Sequence, residues 1–65
     1  MFKLEIKTGG AAFHDGEEGW YDLEIAHGEI RRILNDVAEK MCQGRTEGKI
    51  MDINGNSCGS WELDL

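Results

Sequence analysis

The chain has 65 residues and a net charge of −6, with nine glycines, two cysteines and no proline. So short a chain makes one domain, whose single core supplies only about 3–5 kcal/mol of net stability. Its acidity repels the DNA backbone at long range and favours basic partners, which argues against a general nucleic-acid binder.

Residues 1–8 alternate cleanly. Phe2, Leu4 and Ile6 fall on one face, and Lys3, Glu5 and Lys7 on the other. That is the pattern of a strand with one buried side and one wet side. Gly9-Gly10 ends it. Ala11-Ala12-Phe13 leaves two readings open, a short extra strand or a segment packed under the loop. Residues 14–18 read as a polar, acidic loop tip, closed by Trp20 and Tyr21.

Residues 23–43 carry helical spacing. Ala26, Ile30, Ile33, Leu34, Val37 and Met41 recur at steps of three and four and make one apolar stripe. Asp22 is the expected N-cap, because its carboxylate suits the free N–H groups of a first turn. Gly28 weakens the start, so a helix beginning only at His27 is the alternative. Arg32 with Asp36, and Asp36 with Lys40, stand i,i+4 on the outer side. Gly44 is the expected left-handed stop.

Residues 48–63 read as a hairpin around Asn54-Gly55, the residues that a type I′ turn demands. Met51 and Ile53 are expected on the inner face of its first strand. Gly59, Trp61 and Leu63 are expected inside on the second, with Ser60, Glu62 and Asp64 outside. The order is β-α-β-β, an α+β domain in which one helix covers one face of a three-stranded antiparallel sheet. An extra strand at Ala11–Phe13 would make it four-stranded. The last strand belongs in the middle, which keeps every neighbouring pair antiparallel and the crossover right-handed.

A core this small calls for a staple. Cys42 and Cys58 do not stand at paired metal-ligand spacing with His14 or His27. They read as a small apolar helix residue and a strand residue, with one disulfide as the alternative. Oligomerisation remains, so a dimer or larger is expected, with open sheet edges paired across copies. No apolar run approaches the roughly 20 residues that span a membrane, and Met1 leads straight into a charged strand rather than a signal peptide. A reduced, cytoplasmic setting is expected.

Few residues suggest chemistry. Asp52 to Asn56 resembles the start of a calcium loop, but Ser57 stands where glycine is needed and Leu63 where glutamate is. His14, Asp15, Glu17, Glu18 and Asp22 cluster in the acidic loop. Asp15, Glu17 and Glu18 are candidate ligands for Mg²⁺, which prefers oxygen donors, against the plainer reading of a solvated loop tip. His27 reads as a helix-boundary residue. Ser57 and Ser60 lie in a hairpin, where no serine-hydrolase elbow forms. Trp20, Tyr21, Trp61 and Leu63 are candidate interface residues, since aromatic side chains anchor contacts; the plainer reading makes the aromatic ones core. Lys3, Lys7, Arg31, Arg32, Lys40, Arg45 and Lys49 leave local DNA contacts open.

Three stretches together resemble very small proteins encoded by phages and prophages of gut bacteria. They are Met1 to Gly9 with Ala11-Ala12-Phe13, Ile30 to Lys40, and Met51 to Asn56 with Gly59-Ser60-Trp61. One branch of that group is a small type II-A anti-CRISPR protein with a PC4-like fold, associated with nicking supercoiled plasmid DNA and impairing Cas9. The resemblance implies an accessory role in a mobile element, with Cas9 or DNA as partner. It also implies that Asp15, just after Ala11-Ala12-Phe13, is the residue needed for any catalytic action on DNA. The residues alone leave open a non-enzymatic adaptor with another protein partner.

Overall fold

The computed structural model describes residues 1–13 and 19–65, with residues 19–23 described by their backbone only. The elements run β1 (Phe2–Ile6), a 3-10 turn (Ala11–Phe13), α1 (Gly19–Cys42), β2 (Glu47–Met51) and β3 (Ser57–Leu63). The strands form one three-stranded sheet in the order β1-β3-β2, with both pairs antiparallel. The last strand is therefore central, as its sequence position predicts.

Ala11-Ala12-Phe13 adds no strand. It closes a 3-10 turn with the Phe13 N–H donating to the Gly10 carbonyl at 3.1 Å, and it buries Ala12 and Phe13. Of the two readings left open by the sequence, the extra strand is not formed; the segment packs into the core, and the loop beside it lies outside the described residues.

The sheet register explains which hairpin residues face inward. Gly48 lies opposite Trp61 and Ile50 opposite Gly59. Ile50 therefore shares the face of Trp61, and Met51, the next residue, turns the other way. This corrects the expected inner pair Met51 and Ile53, which are 47% and 71% exposed, whereas Ile50 is buried. Beyond Ile50 the pairing slips, with Met51 opposite Ser57, so Cys58 is an extra residue on β3. This bulge turns Cys58 into the core together with Trp61, although the two stand three apart. The Cys58 carbonyl in turn accepts the Lys7 N–H at 2.6 Å.

The turn is also not type I′. Only Gly55 has positive φ, at 84°, and Asn54 does not. The Gly55 N–H donates to the Asp52 carbonyl at 3.0 Å, and the Asp52 N–H to the Asn56 carbonyl at 2.8 Å. These bonds define a three-residue loop with glycine in the left-handed position. Asp52 favours it, because its Oδ1 accepts the N–H groups of Asn54 and Asn56, both at 2.9 Å.

Helix α1 begins four residues before the expected start, so Asp22 lies inside it and is not its N-cap. No residue from Trp20 to Asp22 is a helix breaker, and Leu23 extends the apolar spacing backward. The C-terminus follows expectation. Gly44 has φ of 90°, the Arg45 N–H reaches the Lys40 carbonyl at 3.2 Å, and the Gly44 N–H reaches that of Met41 at 3.0 Å. This is the paired bonding of a Schellman cap.

Ala12, Phe13, Ile33, Val37, Ile50, Cys58 and Trp61 form one buried cluster, with Leu4, Ile6, Ala26, Ile30 and Met41 packed against it. The turn, the helix and all three strands thus contribute to one core. Two residues counted as inward by periodicity are half open: Leu34, and Phe2, which meets the Trp61 ring at the margin with centroids 6.4 Å apart. Both cysteines are free thiols, Cys42 exposed and Cys58 buried.

Candidate functional site

Alternation along the strands collects the charged side chains on the sheet face opposite the core. On that face Lys3 stands opposite Glu62, which stands opposite Glu47. In the next row Glu5 stands opposite Ser60, which stands opposite Lys49. All six are exposed. They line a shallow depression of about 670 Å³, floored by Leu4, Gly48 and Trp61 and reached from one end by Arg45. Lys3 and Glu62 are oppositely charged cross-strand neighbours, Glu62 and Glu47 are like-charged ones, and Ser60 stands between Glu5 and Lys49. The floor of this surface is a ladder of backbone bonds between the three strands.

Beneath the floor, Trp61 is 2% exposed and its indole N–H has no hydrogen-bond partner among the described residues. A side-chain carbon on Gly48 would lie 2.8 Å from that nitrogen, so the glycine leaves the room that the indole occupies.

A second polar group ties α1 to the hairpin. Glu29, 6% exposed, accepts Arg32 Nε at 2.5 Å through one oxygen and the Ile53 N–H at 3.1 Å through the other. Arg32 Nη2 then donates to the Met51 carbonyl at 3.0 Å. The expected Arg32–Asp36 pair does not form, because Arg32 is turned to Glu29 and the hairpin backbone. Asp36 instead holds Lys40 at 3.0 Å. Next to this network, burial pushes the Cys58 thiol above its ordinary pKa of 9.0, and the carboxylates of Asp52 and Glu29 push it further. Nothing in the spacing of Glu29 announces this role; only the Asp52-x-Asn54-Gly55 turn chemistry was there to read.

The sequence-predicted site residues are scattered. His14, Asp15, Glu17 and Glu18 lie outside the described residues, as do the side chains of Trp20, Tyr21 and Asp22. Trp61 is buried, Leu63 half-buried on the same central strand, and His27 exposed on the helix. Asp52 serves the hairpin turn. Among the described residues, no group of three or more His, Cys, Asp or Glu is placed to hold a metal ion. No helix among them is long and apolar enough to cross a membrane.

Compared with protein-family models, with curated proteins and with solved structures, the chain matches none.

Proposed function

We propose that the chain is an accessory protein of a phage or other mobile element that works by binding a basic protein partner with the uncovered face of its sheet. One observation carries this reading: the depression on that face, with Lys3, Glu5, Glu47, Lys49, Ser60 and Glu62 set in register on three strands. The chain's net charge of −6 supports a basic partner, since it accelerates encounter with one. The phage resemblance supports the setting and makes Cas9 the first partner to test, which would give the protein an anti-CRISPR role.

The test is a binding titration of the purified chain against Cas9 loaded with guide RNA, beside the Glu47→Lys/Glu62→Lys variant. Both residues are exposed, and circular dichroism checks that the variant is folded. Binding by the native chain and its loss in the variant are expected. Equal binding by both would remove the sheet face from the mechanism, and no binding would remove Cas9. A supercoiled-plasmid assay with Mg²⁺, with and without EDTA, accompanies it. Open circles formed by the native chain but not by Asp15→Ala would replace the binding reading with a metal-dependent nickase.

A further inference from the structure

We propose that the free edge of β1 pairs with β1 of a second copy, antiparallel and centred on Leu4, to make one continuous six-stranded sheet. This concerns the edge of the sheet and not its face, so it stands whether or not Cas9 is the partner.

The direction of the backbone groups on β1 follows from its bonds to β3. Met1 exchanges bonds with Asp64 in both directions, and Lys7 donates to Cys58. In an antiparallel ladder such residues alternate with ones whose groups point away. Met1, Lys3, Glu5 and Lys7 therefore turn to β3, and Phe2, Leu4 and Ile6 turn their N–H and C=O groups outward. No bond among the described residues reaches those outward groups. The other edge is better covered, since the Met51 carbonyl on β2 is taken by Arg32 and the side chains beside it are Glu47 and Lys49. An open edge flanked by apolar side chains is a template for a further strand.

The sequence of β1 selects its own copy as that strand. A two-fold axis through Leu4 sets Leu4 opposite Leu4, Phe2 opposite Ile6, and Lys3 opposite Glu5 of the second copy. Each outward residue then exchanges both of its bonds, about six in all. On the wet face, two Lys3–Glu5 pairs form across the seam. On the core face, Phe2, 45% exposed in the single chain, gains Ile6 of the second copy as its neighbour. Centring the axis on Phe2 instead would leave only the first three residues paired. An axis through Glu5 would set like charges opposite each other and turn the wrong backbone groups to the seam. The symmetric contact closes on itself, as two-fold interfaces do.

Sedimentation or light scattering over a concentration series tests the pairing. The native chain is expected to dimerise. Lys3→Glu and Glu5→Lys are each expected to weaken the dimer at least tenfold, because each sets like charges opposite across the seam. The double variant K3E/E5K restores opposite charges and is expected to recover the native constant. Net charge alone predicts something else, since Glu5→Lys lowers the overall repulsion and would strengthen association. A chain that stays monomeric at millimolar concentration overturns the proposal, as does a double variant no better than the singles. Circular dichroism confirms that each variant is folded; if one single variant is not, the other and the double decide.

Discussion

Two glycines differ in a way that only their surroundings explain. A side-chain carbon on Gly59 would fall 1.9 Å from the carbonyl oxygen of Glu5, which is backbone and cannot turn aside. Gly59→Ala should therefore force β1 and β3 apart and cost about 1–3 kcal/mol in urea unfolding. Gly28 has open space around it and lies mid-helix. Gly28→Ala should raise stability by about 1 kcal/mol in the same assay. Cys58 makes a prediction of a different kind. Its thiol is raised above 9.0 by burial first and by Asp52 and Glu29 next. In alkali the unfolded chain loses this proton before the folded one does, so folding binds the proton and stability falls with rising pH. The contribution is intact below about 9 and is lost as the pH climbs through the folded value. Urea melts from neutral to alkaline pH should show that fall, and Cys58→Ala should flatten it. Ellman's reagent should label exposed Cys42 at once and Cys58 only on unfolding.

At the scale of elements, Glu29 closes the joint between helix and hairpin. Glu29→Ala would leave the Ile53 N–H without its acceptor and Arg32 without its partner. A loss of about 1–3 kcal/mol is expected, with Glu29→Gln costing less because the amide oxygen still accepts one bond. Thermal melts of the three proteins check the order. The elements themselves were readable to different depths. β1 and the central place of β3 were legible because period-two alternation and the Asn54-Gly55 signal are local and strong. The positions of Lys3, Glu5, Ser60 and Glu62 on the open face followed from the same alternation. The inward turn of Ile50 was not legible, because it depends on pairing with β3 and on the bulge at Cys58, and Ser57-Cys58-Gly59-Ser60 has no period of its own. The early start of α1 was missed for the opposite reason. Asp22 is a good cap wherever a helix begins, but nothing before it prevented the helix from beginning sooner.

The whole molecule is held by its last strand. β3 lies between both edge strands, and its end fastens them: the Leu63 N–H donates to the Thr46 carbonyl at 2.7 Å, and the Asp64 N–H to that of Met1 at 2.9 Å. Leu63 also sits half-buried opposite Phe2. Removing residues 63–65 deletes these bonds from both edges at once. At about 1 kcal/mol for each bond, and somewhat more for the lost apolar contact, the cost is about 3 kcal/mol. A core that supplies about 3–5 kcal/mol keeps only about 0–2 kcal/mol after that loss, so the shortened chain should unfold at a far lower urea concentration and be partly unfolded at room temperature. Removing only Leu65, which is fully exposed, should leave the melting curve where it was. Two truncations two residues apart therefore separate a stabilising strand end from a passive tail. A shortened chain that kept native circular dichroism and its native urea midpoint would show that β3 does not fasten the sheet through its final residues.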